Sequence, residues 1–582
     1  MFTAKKQSLI QTTKKTSEGK VNPFIEFGMK KSSETLSGNG ALKYSRSGIS
    51  DNDLFLEQFA SIAMYRNPRS FEQISKDMSQ LWSVNKEMAV KFILYTRMIT
   101  RVTQLSDGSE TSISQRGAGL KHEGITRMIW LAVNAPETFA KNIPLFIAAG
   151  SWKDVIMMLS YDLQYNGWEG RALDWKFMGN VILAGLENEN TSNLVRKYLP
   201  QIKVNSRCKT LEAQADNIIA KWICSLVFGS KDDEKGTSYK MYRNLKRSGN
   251  AHTWQQLISK GNHNMINFDT VHGRALSLLV SGKYLKNQGL EKKYAEWIAS
   301  KPVAKFTGFP YELALKLKGY SGQYLIDTIN AQFNNLVETA KSGLVGSTIR
   351  PISVLDCSGS MSSRMYIGGG QVGPMTSIDV AASSAIFFNE MLEKNSPFYN
   401  HYLEFCSKTE MHRFEGNSFS DKFLRSPRNG WGGTNFQSVF DFLVEFKLRN
   451  PKVSEDLIPN FIVCFSDGEF NSLSRDKNRV MTNVEAGRQK LRGAFSKEFC
   501  DSFGICFVDL PNTFYGRSAS DKPKFETFGD CKNTFYFSGY DLSPLGFLFG
   551  IKGADGEVKI PKTGIELFLE CMNQELLNLV NV

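Results

Sequence analysis

The chain has 582 residues, 41% hydrophobic and 22% charged, with Lys+Arg 71 against Asp+Glu 58 and a formal net charge of +13. Such a length points to two or more domains, and the apolar fraction is enough for a large core, which excludes wholesale disorder. No run approaches the roughly 18 apolar residues of a membrane span, and the polar, basic start MFTAKKQSLIQTTKK does not read as a secretory signal.

Charge is unevenly spread. Residues 1–345 carry 46 basic and 30 acidic side chains, a net +16, whereas residues 346–582 carry 25 and 28, a net −3. A basic first part beside a slightly acidic second part fits a polyanion partner for the first, although a generically basic protein would look the same. Nine cysteines, an odd number with no CxxC pair, several inside apolar runs, read as reduced thiols of a cytoplasmic protein rather than a zinc site.

Residues 1–50, rich in Lys, Ser, Thr and Gly, read as a basic, loosely ordered arm. From about residue 51 to 345 apolar residues recur at helical spacing, as in LFLEQFASIAMY, KEMAVKFILYTRMI, WKDVIMMLSYDL and QYLIDTINAQFNNLVETA. Short breakers such as Asn67-Pro68 and Gly150-Ser151 join them, which predicts an all-α, helical-repeat region of the solenoid type. From 346 to 582 apolar strands alternate with helices. IRPISVLDCSGSM, YNHYLEFCS, LIPNFIVCFSDGEF, DSFGICFVDLP and KNTFYFSGY are the strand candidates, and the alternation predicts a doubly wound parallel α/β sheet. In such sheets ligands sit at the carboxyl ends of the strands.

Three polar loops fall at those ends or before helices. Asp356-Cys357-Ser358-Gly359-Ser360 follows one buried strand, Gly432-Gly433-Thr434 precedes a helix, and Ser466-Asp467-Gly468 ends another strand. Asp356, Ser358, Ser360, Thr434 and Asp467 form an all-oxygen donor set, which suits Mg²⁺ or another hard divalent cation, and an open position could take a carboxylate from an acidic protein partner.

DCSGSM, GGTN and FSDGE in this order resemble the metal-ion-dependent adhesion site of a von Willebrand factor A domain. A helical region followed by such a domain resembles the Ro-type ribonucleoproteins, whose helical part is the TROVE domain with HEAT-like repeats. The similarity is closest to their plant, fungal and viral relatives of the same layout, through LFIAAGSWKDVIMML, DWKFMGNVIL, AKWICSLVFG and GWGGTNFQSVFDFLVEF. The resemblance implies an RNA-binding ribonucleoprotein component whose helices close into a ring.

By chemistry, the candidate RNA contacts fall in three groups: Arg116, Lys121, His122 and Arg127 in and after a Gly-containing loop; Lys203, Arg207 and Lys209 around a turn; and Lys240, Arg243, Lys246 and Arg247 as one helical stripe beside Tyr239 and Tyr242. For any one of them a solvated basic face is the plainer alternative. No GxxxxGK[ST], GxSxG or HExxH occurs, and Cys357 with Arg364 misses phosphatase-loop spacing, so no enzyme is expected. The competing reading is a metal-dependent protein-binding scaffold, possibly of a virus, with no RNA role.

Overall fold

Helix starts in the first part of the chain are set by short polar side chains that satisfy otherwise orphaned backbone N–H groups. Ser70 caps Phe71–Val84 in a reciprocal box with Gln73, and Asn85 accepts from the Met88 N–H to start Lys86–Arg97. The apolar stripes then bury against each other, with Ile74, Met78 and Leu81 wholly enclosed on the first of these helices.

The computed structural model describes residues 34–36, 42–44, 53–61, 69–99, 101–104, 112–165, 172–203, 208–229, 237–248, 254–306, 308–319, 322–340, 349–366, 372–426, 432–471, 481–510, 531–538, 545, 548 and 563–582. They form an N-terminal helical region and a C-terminal mixed α/β region. Two short antiparallel pairs precede the main sheet: β1 (Glu34–Leu36) with β2 (Leu42–Tyr44), and β3 (Arg101–Gln104) with β4 (Ser112–Gln115). The first corrects the expectation of a loose arm for those six residues. The second places strands inside a stretch expected to be wholly helical.

The α/β region holds β5 (Pro351–Asp356), β6 (Arg364–Tyr366), β7 (Val372–Thr376), β8 (His401–Phe405), β9 (Thr409–Arg413), β10 (Phe461–Ser466), β11 (Gly504–Asp509) and β12 (Thr534–Ser538). Six of them make one sheet in the order β12-β11-β10-β5-β8-β9, while β6 and β7 pair separately. Neighbours are parallel except β9, which runs antiparallel to β8 at the edge, so the sheet is mixed rather than purely parallel. From β5 the chain builds outward to β8 and β9, then returns to β10 on the other side. The order therefore reverses between β5 and β10, where α/β sheets open a crevice at the strand ends.

Both faces of the sheet are covered, which is why β5 and β10 are fully buried and mostly apolar, with Ser353 within β5 and Asp356 and Ser466 at the two strand ends. Alternate residues serve different cores. Ile462 and Cys464 of β10 pack with Phe436 and Phe440, whereas Phe461, Val463 and Phe465 join a cluster that continues into the helical region through Phe59, Phe92 and Phe333. The change of pattern near residue 345 thus divides two sequence styles that share one core.

Early and late helices both touch the α/β region. Gln574 exchanges two hydrogen bonds with the Arg116 backbone, at 2.8 and 2.9 Å, and Asn142 pairs with the Asn581 backbone. From the last helices, Lys318 bridges to Asp379 and Phe333 stacks on Phe419 at 4.0 Å. Trp152 packs against Gly185, where a Cβ would lie 2.4 Å from its ring.

Candidate functional site

The three loops singled out in the sequence meet at the β5/β10 switch point. Asp356 closes β5 and is fully buried; its Oδ1 accepts from the Ser358 N–H at 2.8 Å and its Oδ2 from the Ser466 hydroxyl at 2.5 Å. Ser358 and Ser360 turn their hydroxyls to each other at 3.2 Å. The Gly359 N–H donates to the Gly432 carbonyl at 3.4 Å, which ties the first loop to the second. Thr434 is tied to the third loop by both of its backbone groups: its N–H donates to Asn471 Oδ1 at 3.3 Å and its carbonyl accepts from the Asn471 N–H at 2.9 Å. Asp467 follows β10, is 1% exposed, and accepts from the Glu469 N–H at 3.2 Å.

Burial in the first place, and the neighbouring Asp467 in the second, push the Asp356 carboxyl up to about 7. Two carboxylates enclosed together repel, and a hard cation among oxygen donors is the ordinary remedy. Among the described residues no group of three or more His, Cys, Asp or Glu is arranged to hold a metal ion, and the other candidate donors here, Ser358, Ser360 and Thr434, are hydroxyls. Such a set fits Mg²⁺ and does not fit a thiolate or imidazole metal. Cys357 is 4% exposed, burial drives its thiol far above its usual range, and the Glu404 carboxylate adds to that.

Two contributors, Asn471 and Lys43, escaped the sequence analysis, and a third, Ser466, was named in its loop without a role. Its hydroxyl serves both Asp356 and the Gly468 N–H. Asn471 closes the loops, and the tight Gly433 beside it is the sequence trace it leaves: a Cβ there would sit 2.7 Å from Asn471 Nδ2. Lys43 of β2 is 3% exposed, donates from Nζ to the Gly468 carbonyl and lies 4.9 Å from the Phe470 ring centroid.

The basic residues are scattered by comparison. The Arg116–His122 loop does not offer its amides outward: Ala118, Gly119 and Leu120 donate to the carbonyls of Tyr95, Met98 and Thr96 at the end of Lys86–Arg97. Burial lowers the Arg116 guanidinium, and lowers Lys121 to about 8 with help from the nearby Lys153 ammonium. Burial likewise lowers the half-buried His122, whose ring lies 5.2 Å from that of Tyr161.

Arg127 has to be withdrawn as an RNA contact. It is 0% exposed, donates to Glu123 at 3.0 Å and to Gln58 at 3.3 Å, and stacks over Phe92. Arg69 pairs with the same Glu123 and with Asp77, completing an interior network. Lys203 is half-buried and Lys209 exposed, while Arg207 lies outside the described residues.

On the helix Thr237–Ser248, Lys240, Arg243 and Arg247 are exposed. Lys246 turns inward to the carbonyls of Lys197 and Leu199 that end a neighbouring helix. Tyr242 is a core residue bonded to the Pro200 carbonyl at 3.0 Å, not a stacking platform, whereas Tyr239 is exposed.

Residues 350–542, about a third of the chain, match the family model of a domain of unknown function, DUF7788, and the match spans every residue of the three loops. No curated protein and no solved structure matches the chain.

Proposed function

We propose that the chain is a non-catalytic binding protein whose α/β region holds a Mg²⁺-type cation among Asp356, Ser358, Ser360, Thr434 and Asp467 and uses it to capture an acidic group of a partner protein. The observation that carries this reading is the enclosure of two carboxylates, Asp356 and Asp467, within three mutually hydrogen-bonded loops. The cation would neutralise both carboxylates and present a Lewis-acidic position to an incoming carboxylate. Asp356 would be held in place for that role by Ser466, and Thr434 by Asn471. The resemblance to a von Willebrand factor A domain supports the same reading, as does the placement of the loops at the β5/β10 switch point.

A polyglutamate probe tests it. Retention on the full chain in Mg²⁺, with loss both in EDTA and in Asp356→Ala, is expected. Retention that survives EDTA contradicts it.

RNA binding by the helical region, as in Ro-type proteins, is a second reading favoured by one observation: Lys240, Arg243 and Arg247 stand exposed on a single helix beside the exposed Tyr239. It ranks second because Arg127 and Lys246 are committed to the interior. None of the nine cysteines is in a disulfide, and no helix among the described residues is long and apolar enough to cross a membrane, which supports assignment to a reducing, cytoplasmic setting.

A further inference from the structure

A polar cavity opens at the end of the sheet opposite the three loops, where β11 and β12 begin. It measures about 310 Å³ and is lined by Arg488, Leu491, Arg492, Cys500, Asp501 and Lys532. Arg488 and Arg492 lie one turn apart on the helix Asn483–Arg492, Cys500 and Asp501 on Lys497–Ser502, and Lys532 on the turn entering β12.

The chemistry of this cavity is unbalanced. Three cations face one carboxylate, and among the described residues none of the four is in an ion pair. Arg488 donates from Nη2 to the Lys532 and Asn533 carbonyls and to the Thr534 hydroxyl, at 2.9 to 3.2 Å, so its partners are neutral groups. Its Nε is buried without any acceptor. Burial, and then the Arg492 charge, lowers the guanidinium from its usual range. An enclosed cation lacking a counter-charge is costly, and an anion is what offsets it.

We infer that this cavity binds a phosphate monoester carried on a hydroxyl-bearing body, of the size of a nucleoside monophosphate or pentose phosphate. The phosphate dianion matches the net double positive charge, with the exposed Arg492 and Lys532 as its direct donors and Arg488 as the fixed charge behind them. Asp501 repels a bare phosphate but accepts from a hydroxyl, which favours an ester with a polar body. Leu491 and Cys500 give that body an apolar wall. A cavity of this size is at the lower end of those that enclose small ligands.

Calorimetry on the full chain with AMP, ribose 5-phosphate, inorganic phosphate and adenosine tests the inference. AMP or ribose 5-phosphate is expected to bind more tightly than inorganic phosphate, and adenosine not at all. Arg492→Gln and Lys532→Gln, both at exposed positions, should each weaken the ester about tenfold, the scale of one lost charged hydrogen bond. Asp501→Asn should narrow the preference over inorganic phosphate. Absence of ester binding at millimolar concentration overturns the proposal, as does undiminished binding by the Arg492→Gln/Lys532→Gln double variant. Binding of a single-stranded RNA without any small ester would assign the patch to nucleic acid and overturn it equally. Asp356→Ala, at the other end of the sheet, should leave ester binding unchanged, so this result stands or falls apart from the metal site.

Discussion

Lys43 and Gly468 are 425 residues apart in the chain, yet the Lys43 ammonium donates to the Gly468 carbonyl one residue beyond Asp467. Gly468 has φ +69°, and a Cβ there would stand 3.2 Å from Lys43 Nζ, so the close approach and the left-handed backbone both call for glycine. Removing a charged donor from a half-buried carbonyl costs up to about 1.5–3 kcal/mol. Lys43→Met should therefore lower the unfolding midpoint and speed amide exchange at residues 467–470. Unchanged exchange there would show that the β1/β2 hairpin does not bear on the third loop.

The Arg69–Glu123–Arg127 network makes a second prediction. Glu123→Gln removes the carboxylate that Arg69 and Arg127 share and leaves Arg127 enclosed among neutral groups, the new amide, Gln58, Met78 Sδ and Phe92; removing the charge of a buried pair in this way costs about 3–5 kcal/mol. Urea unfolding should register that loss. RNA affinity per folded molecule, if any, should not change, because the network does not reach solvent.

Gly117 lies in the loop that looked suited to phosphate. A Cβ there would meet Met98 Cβ at 2.4 Å and the Tyr95 carbonyl at 2.6 Å, and backbone cannot yield as a flexible side chain does. Gly117→Ala should cost about 1–3 kcal/mol, the range of an overpacked interior. A neutral result in a thermal melt would return this loop to the surface.

Lys121 supplies a pH dependence. Its folded value of about 8 lies below its ordinary value, so between roughly pH 8 and 10.5 the unfolded chain holds more protons than the folded one. That group's contribution to stability is thus lowest when the lysine is charged in both states, and rises with pH across the window. Lys121→Met should flatten this rise in a series of melts from pH 7.5 to 10. A rise as steep as in the parent protein would mean that Lys121 keeps an ordinary value.

On the RNA reading, Arg243→Glu and Arg247→Glu should weaken RNA binding and each lower the salt dependence by about one counterion, without loss of stability. Lys246→Glu should instead destabilise the protein, because Lys246 Nζ serves the Lys197 and Leu199 carbonyls. Equal effects on RNA and equal stability in all three would contradict the assignment of Lys246 to the interior.

What was legible in the sequence follows physical visibility. β5 and β10 announce themselves because burial on both faces leaves largely apolar runs, interrupted only by Ser353, and Asp356 and Asp467 stand out as the charges that follow them. β9 escaped because an edge strand with exposed residues such as Glu410 and Met411 carries no such run. Arg127 misled because its buried partner Glu123, although at helical spacing, is fixed by Arg69 from 54 residues away. Tyr242 looked like half of a stacking pair beside basic neighbours, and the position of Pro200 beneath it is a fact of packing alone. Lys43 was invisible for the same reason.

Thermal unfolding of the parent protein and of Asp467→Asn, each with and without Mg²⁺, reads out whether Asp356 and Asp467 share a divalent cation. Without Mg²⁺, Asp467→Asn removes the repulsion with Asp356 and should melt at or above the parent temperature. With Mg²⁺ at about a hundred times its Kd, the parent should gain about 2.7 kcal/mol and Asp467→Asn little or nothing. An equal response of the two proteins to Mg²⁺, or none in the parent at any concentration, would mean that the two carboxylates share no cation.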